Sequence, residues 1–319
     1  MLAITHPSPD VIAITERPDP VPGDQQILVA VRAAGLNRAD LLQRAGKYPA
    51  PPGWPADIPG LEYAGEVRAL GSGVTRWRVG DRVMGLVGGG AHAELVVVDE
   101  REALPIPPAL GFPDAAAIPE AFLTAWDAMV LRGRAAAGDR VLVHAIGSGV
   151  GTAAAQVGRA LQLVIVGTSR TAAKLERCRP LGMAAGVLTT DADWPARVGE
   201  PVQVIVDTLG AKALEQNLAL LAPRGRLVVL GTMTGASAPG IDLSVVLRKR
   251  LEIIGTAMRV RPLDERIELV ARFARQVLPM FGDGRLVPIV DRVLPMREIA
   301  EAHRAMQGNE TFGKVVLAW

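Results

Sequence analysis

The alternation of apolar and polar positions divides the chain into a β-rich part and a part in which strands and helices alternate. Up to about Pro113 the apolar positions recur with a period of two, as in residues 27–33, and glycine and proline breakers separate the short runs. Residues 36–44 interrupt this pattern with a helical stretch that Asn37 can cap. The pattern predicts a β-rich domain over residues 1–118.

From Pro119 onward, short apolar runs alternate with helical segments. The runs expected to form strands are residues 141–144, 163–166, 185–188, 202–206, 227–230 and 251–254. This alternation is typical of an α/β fold with a doubly wound parallel sheet, here over residues 119–261. A long helical segment at 263–278 and a last strand at 313–317 follow, and we expect residues 262–319 to return to the first domain.

A glycine-rich turn follows the first predicted strand of that sheet and opens a helix. Glycines let the backbone approach a ligand closely, and the helix start offers free N–H groups and a partial positive charge. The spacing G-x-G-x-G alone fits a plain turn equally well, but its place after the first strand favours dinucleotide binding. The residues expected to cradle the pyrophosphate are Ser148, Gly149, Val150 and Gly151.

The residues after the second strand indicate which dinucleotide is bound. NAD-specific proteins place an acidic residue about twenty positions past the glycines, where it binds the ribose 2′-hydroxyl. Here Ser169, Arg170 and Lys174 offer a hydroxyl and two cations, and no carboxylate is present. Charge-assisted donors suit a 2′-phosphate, so the sequence predicts NADPH. The alternative interpretation is a solvated helix start with ordinary surface cations.

Composition excludes several classes of protein. Of 319 residues, 49% are hydrophobic and 21% are charged, which is typical of a globular chain, and the net charge of +2 gives no indication of binding to nucleic acid or membrane surfaces. The single cysteine, Cys178, allows no disulfide within the chain and fits a reducing compartment. The N-terminus lacks the pattern of a signal peptide. We therefore expect a cytoplasmic protein with neither nucleic-acid nor membrane partners.

Five motifs together resemble the medium-chain dehydrogenase/reductase superfamily: AGLNRAD at 34–40, PGLEYAG at 59–65, VGDRV at 79–83, AIPEA at 117–121 and GKVVL at 313–317. Residues 37–53 and 144–156 are similar to zeta-crystallin-type, zinc-independent NADPH:quinone oxidoreductases, and most of all to the tumour-suppressor-inducible subgroup. The resemblance covers nearly the whole chain. It implies a GroES-like catalytic domain joined to a Rossmann domain, and a homodimer formed through residues 251–256.

The resemblance also bears on metal binding. Zinc-dependent members of the superfamily bind catalytic zinc through a cysteine and a histidine, and this chain has Leu36-Asn37 and Leu61 at those positions. It also has no counterpart of the four-cysteine zinc lobe. The four histidines are far apart in sequence, and zinc needs three or four ligands at defined spacing. We expect no metal.

The resemblance places Tyr48 and Asn37 on the substrate side of the site. A phenol such as Tyr48 can donate a hydrogen bond to a carbonyl or relay a proton, although an anchoring role in its loop is the alternative. Asn37 is expected beside the nicotinamide or the substrate. Further cofactor positions implied by the resemblance, or by location after a strand, are Thr124, Thr189, Leu209, Gly231, Met233, Met258 and Asn309. Simple core packing is the alternative for Leu209, Met233 and Met258.

The implied activity is hydride transfer from NADPH to quinones. An NADPH-dependent reductase of α,β-unsaturated aldehydes or ketones shares the same motifs and stays open as an alternative. A third possibility is an NADPH-binding sensor or crystallin-like protein without efficient catalysis. The nearly neutral charge and the absence of a basic, aromatic-rich stripe count against an RNA-binding relative.

Overall fold

The computed structural model describes residues 1–9 and 11–319, and the chain divides into two compact units. Unit 1 comprises Met1–Leu123 and Met258–Trp319, and unit 2 comprises Thr124–Ala257. The expected boundaries were 118/119 and 261/262. The first junction lies later than expected because one helix, Pro119–Trp126, continues through it without a break.

The strands and helices of the described residues, numbered in chain order, have the following bounds. The strands are β1 (Leu2–Ser8), β2 (Val11–Glu16), β3 (Gln26–Leu36), β4 (Glu62–Leu70), β5 (Arg82–Leu86), β6 (Leu95–Asp99), β7 (Ala103–Pro105), β8 (Arg140–Val143), β9 (Val164–Ser169), β10 (Met183–Leu188), β11 (Val202–Asp207), β12 (Leu221–Val229), β13 (Glu252–Gly255), β14 (Val290–Pro295) and β15 (Lys314–Ala318). The α-helices are α1 (Arg38–Arg44), α2 (Phe112–Ala116), α3 (Pro119–Trp126), α4 (Gly149–Ala160), α5 (Ala172–Cys178), α6 (Trp194–Arg197), α7 (Leu214–Leu220), α8 (Leu243–Lys249), α9 (Leu263–Gln276), α10 (Pro279–Gly282) and α11 (Ile299–Gln307). A π-helix, Asp127–Arg132, directly follows α3.

Unit 1 is built around β3, which pairs antiparallel with β4, β6 and β15. The sheet runs in the order β14-β15-β3-β4-β5-β7, and β14 pairs parallel with β15. Its core joins Ile27 and Val29 of β3 to Val315 and Leu317 of β15, all fully buried. The C-terminal segment therefore completes the sheet that the N-terminal segment begins.

Unit 2 contains a parallel sheet in the order β10-β9-β8-β11-β12-β13 among the described residues. Its central strands are almost wholly apolar and buried, as expected where helices cover both faces. The predicted doubly wound α/β fold is confirmed. The strand order reverses between β8 and β11, and ligands of such sheets bind at the carboxyl ends beside this point.

Among the described residues, no helix combines the length and the apolar character that crossing a membrane requires.

Candidate active site

The glycine-rich turn after β8 has the geometry of an anion-binding helix start. Ser148 is the N-cap of α4, and its hydroxyl accepts a hydrogen bond from the Gly151 N–H at 3.1 Å. A β-carbon at Gly151 would lie 2.4 Å from the Ile146 carbonyl oxygen, so glycine is required there. The N–H groups of Gly149 and Val150 donate to no acceptor among the described residues. These N–H groups are available to a pyrophosphate.

The residues predicted to bind the 2′-phosphate lie at and after the end of β9. Ser169 is buried, Arg170 is exposed, and the Lys174 stem packs on the glycine turn, where a β-carbon at Gly147 would lie 2.9 Å from Lys174 Cδ. The Thr189 N–H donates to the Ser169 carbonyl at 2.9 Å, which brings the end of β10 to this group. The residues predicted to recognise the adenosine end are therefore neighbours in unit 2.

Three more predicted cofactor residues meet at the carboxyl ends of β11 and β12. The Asp207 carboxylate accepts from the Leu209 N–H at 2.7 Å, and the Thr208 carbonyl accepts from the Met233 N–H at 3.2 Å. A β-carbon at Gly231 would lie 3.3 Å from the same Thr208 oxygen. The Met233 side chain is 52% exposed, so core packing does not explain it.

Two buried hydroxyl groups in unit 2 lack hydrogen-bond partners among the described residues. They belong to Thr124, which the sequence predicted near the nicotinamide, and to Thr208, which it did not. An unpaired buried hydroxyl is costly unless a ligand or water completes it. Together with the free N–H groups of the glycine turn, they fit a nicotinamide dinucleotide.

Three predicted cofactor residues belong to unit 1: Met258, Asn309 and Asn37, whose surroundings are described below. Met258 is 9% exposed. Asn309 has a left-handed backbone with φ of 56°, and its Oδ1 accepts from Arg38 Nη2 at 2.9 Å. The Asn309 side chain therefore already has a partner within unit 1.

Three of the four histidines, although distant in sequence, lie together in unit 1. The rings of His6 and His303 are 5.8 Å apart, and Arg44 Nη1 donates to His303 Nδ1 at 2.9 Å. Burial, followed by the charges of neighbouring histidines and Arg44, lowers the pKa of His303 to about 3. Burial and the charge of His6 lower the pKa of His92 to about 3 as well. His303 and His92 are therefore neutral at physiological pH.

The positions that bind catalytic zinc in zinc-dependent relatives do not fit a metal in this chain. Leu36 and Leu61 are buried and apolar. Asn37 Oδ1 accepts from the Lys314 ammonium at 2.6 Å, so a cationic group already occupies its surroundings. Across residues 1–9 and 11–319, no group of three or more histidine, cysteine or acidic side chains is arranged to hold a metal ion.

A buried network surrounds Asn37 instead. Its amide donates to Glu62 Oε1 at 2.9 Å, and Glu62 forms an ion pair with Lys314. Asp40 accepts from the backbone N–H groups of Asn37 at 2.7 Å and Gly60 at 3.1 Å, and burial raises its pKa to about 6. Asp40 thus holds the start of α1 to the loop before β4.

Tyr48 is anchored through its backbone and ring. Arg259 Nη1 donates to the Tyr48 carbonyl at 2.8 Å, and the guanidinium carbon lies 5.0 Å from the ring centroid. Arg259 is itself held by the Gly88 carbonyl at 2.6 Å and Gln43 Oε1 at 2.7 Å. The Tyr48 hydroxyl has no hydrogen bond to any described residue, so it is free to meet a ligand.

The sequence interpretation missed Arg259 and Glu120, as it missed Glu62 and Lys314 of the buried network around Asn37. Burial, and then the charge of Glu62, raise the pKa of Glu120 to about 7. Glu120 stands alone as an acid within an apolar run, which is a signal that could have found it. Nothing in the local pattern marks Arg259, because its partners are more than 170 positions away.

Two domain families match the chain: the alcohol dehydrogenase GroES-like domain at residues 23–108 and the zinc-binding dehydrogenase domain at residues 149–275. The synaptic vesicle membrane protein VAT-1 homolog of Rattus norvegicus is 32% identical over 327 residues, covering 97% of this chain and 81% of the relative. A quinone oxidoreductase of Pseudomonas aeruginosa is 31% identical over 319 residues, covering 97% of this chain and 96% of the relative.

The fold of this chain also matches solved structures over nearly its whole length. An NAD-dependent alcohol dehydrogenase superposes with a TM-score of 0.87 at 31% identity, covering 100% of both chains. A quinone oxidoreductase of Pseudomonas syringae pv. Tomato DC3000 gives 0.88 at 27% identity, covering 100% of this chain and 99% of the other. The CurK enoyl reductase gives 0.86 at 25% identity, covering 99% and 98%. The chain therefore belongs to the medium-chain dehydrogenase/reductase superfamily of nicotinamide-dependent oxidoreductases, among its quinone oxidoreductase-like members.

Proposed function

We propose that the chain is a zinc-independent oxidoreductase that transfers hydride from NADPH to quinones. The bound cofactor supplies the hydride, and the chain's own residues bind the cofactor, orient the acceptor and supply a proton. The choice of NADPH is supported by the end of β9, where Ser169, Arg170 and Lys174 stand without a carboxylate. The N–H groups at the start of α4 would hold the pyrophosphate.

The acceptor part of the proposal depends on Tyr48, whose hydroxyl is free while its ring and backbone are held by Arg259. Hydride addition to a quinone places negative charge on an oxygen already stabilised by conjugation, so one hydrogen-bond donor is sufficient help and no metal is required. Asn37 is held by Glu62 and Lys314, and we assign it to positioning this side of the site.

A second candidate is NADPH-dependent reduction of α,β-unsaturated aldehydes or ketones. The similarity to the CurK enoyl reductase favours it. An enone also accepts hydride by placing negative charge on a conjugated oxygen, so the same free hydroxyl of Tyr48 would serve.

The proposal is tested by measuring oxidation of NADPH and NADH with an ortho-quinone, a para-quinone and an enal in parallel. We expect turnover with a quinone and a preference for NADPH, and Lys174→Ala should reduce that preference about tenfold or more through loss of a charge-assisted hydrogen bond. Turnover of the enal alone would select the second candidate. A preference for NADH would reject the cofactor assignment, and saturable NADPH binding without turnover would reject the enzyme.

We further propose a homodimer and a cytoplasmic location. Strand β13 is an edge of the parallel sheet, Ile253 on it is 48% exposed, and Leu247 on the neighbouring α8 is 78% exposed. An exposed apolar edge strand is a surface that a second copy can cover. Cys178 is a free, buried thiol whose pKa burial raises to about 11, consistent with a reducing compartment.

A further inference from the structure

Unlike the other three histidines, His144 belongs to unit 2, where it directly follows β8. Its imidazole is 1% exposed, and both ring nitrogens have partners. Nδ1 lies 2.9 Å from the Thr168 hydroxyl oxygen, and Nε2 lies 2.8 Å from Asn217 Oδ1. One buried side chain therefore bridges two other segments of the unit.

The partners of the His144 ring define where its proton lies. Burial lowers the pKa of His144, so the imidazole is neutral at physiological pH and has one donor and one acceptor nitrogen. With Asn217 Oδ1 facing it, Nε2 carries the proton and donates, and Nδ1 accepts from the Thr168 hydroxyl. Each bond thus has a fixed direction, and removing either partner leaves a buried polar atom of the ring unpaired.

Thr168 belongs to the adenosine side of the site. It is the residue before Ser169 in β9, and its carbonyl accepts from the Ile146 N–H of the glycine-rich turn at 2.9 Å. The ladder that pairs β9 with β8 ends at Gly167. Beyond the ladder, the side chain of His144 continues the connection to the end of β9.

Asn217 lies across the point where the strand order reverses. It is wholly buried in α7, and the segment that joins β11 to α7 contains Leu209, a predicted cofactor residue. The Leu209 carbonyl accepts from the Thr234 N–H and hydroxyl, each at 2.8 Å. The backbone N–H of His144 donates to the Val206 carbonyl of β11 at 3.1 Å. His144 is thus bonded to β11 and to the helix that follows it, which lie on the side where the other half of a dinucleotide binds.

We propose that His144 is a positioning residue that fixes the spacing between the two halves of the cofactor site. The inference rests on the proposed use of NADPH. Strand β8 lies between β9 and β11, and a dinucleotide bound at this switch point extends over both sides. A site whose two sides are already held in place loses less free energy in ordering when the ligand binds. The bridge should therefore matter for the whole cofactor and not for one half of it.

Binding of the whole cofactor and of its adenosine half tests the bridge. Thr168→Val removes the hydroxyl while nearly keeping the shape of the side chain, so it breaks one end of the bridge. We expect NADPH to bind this variant about tenfold or more weakly, and adenosine 2′,5′-bisphosphate to bind less than about threefold more weakly. Thr168→Ser retains the hydroxyl and is the matched control, which should bind both ligands as the wild type does. Isothermal titration calorimetry measures all of these affinities without turnover.

Equal weakening of both ligands in Thr168→Val would show that the substitution damages the adenosine side itself, and it would overturn the bridge. NADPH binding at wild-type strength would overturn it as well, even if urea denaturation showed a loss of stability. A wild type that binds NADH and not NADPH would reject the proposed cofactor but not the bridge. In that case NADH and adenosine 5′-diphosphate test the bridge in the same way.

Substitutions at His144 give a second, independent measurement. Glutamine places its amide nitrogen at the ε position, so His144→Gln can keep the bond to Asn217 while losing the bond to Thr168. Its affinity for NADPH should match that of Thr168→Val, and His144→Phe, which loses both bonds, should bind NADPH no more tightly. Combining His144→Phe with Thr168→Val should add no further loss, since both remove the same link. Additive losses would show that the two residues act separately and would contradict the proposal.

Discussion

At the residue scale, surroundings decide the charge of the histidines in unit 1. His92 is completely buried, and its pKa falls from 6.5 to about 3. The unfolded chain exposes His92 to water, where its pKa returns to 6.5. Between pH 6.5 and 3 the unfolded state therefore binds a proton that the folded state does not. The contribution of His92 to stability is thus present above pH 6.5 and is lost as pH falls through this window.

We expect His92→Leu to make the protein less sensitive to acid. The free energy of unfolding of the wild type should fall by about 1.4 kcal/mol more per pH unit than that of the variant, in the window below pH 6. Urea denaturation at pH 8, 6 and 5 measures this difference. The pH 8 values isolate the effect of packing, since the histidine is neutral in both states there. Parallel stability curves for the two proteins would contradict the assignment.

At the element scale, the start of α4 combines a structural and a binding role in one residue. Ser148 caps the helix through the Gly151 N–H, and it also adjoins the free N–H groups of Gly149 and Val150. Loss of an N-cap costs a helix about 1 kcal/mol, whereas a negative charge at the same place would repel a phosphate. Substitutions at Ser148 can therefore separate the two roles.

Ser148→Ala should lower the free energy of unfolding of the cofactor-free protein by about 1 kcal/mol. Ser148→Asp should keep that stability, because aspartate is an equally good N-cap, but should weaken NADPH binding at least tenfold, or by about 1.4 kcal/mol. Chemical denaturation and fluorescence titration with NADPH measure the two effects. NADPH binding by Ser148→Asp at wild-type strength would place the pyrophosphate elsewhere.

At the scale of the whole molecule, the proposed dimer depends on the edge of the parallel sheet. Ile253→Lys places a charge on β13, and charged edge strands resist pairing. We expect the wild type to be a dimer and this variant a monomer by light scattering. Val21→Lys is the control, since Val21 is 85% exposed but lies in unit 1, far along the chain from β13. A monomeric wild type, or a dimer unaffected by Ile253→Lys, would rule out this interface.

The sequence by itself determined the α/β architecture and the strand–turn–helix at β8 and α4. These features follow from local periodicity and from the glycine spacing between residues 147 and 151, which depend on neighbours a few positions apart. The same local reading placed Ser148, Ser169 and Leu209 at the carboxyl ends of their strands, where the structure has them.

Only the tertiary structure decided the environment of Tyr48. Arg259 reaches its carbonyl from 211 positions away, and Lys314 reaches Asn37 from 277 positions away. Such pairings depend on how the two segments of unit 1 join in one sheet, and no local pattern records them. Burial and charge at Glu120, which raise its pKa to about 7, arise from that joining. The proton affinity of Glu120 is therefore a product of the fold, because it comes from neighbours that the chain brings together only when folded.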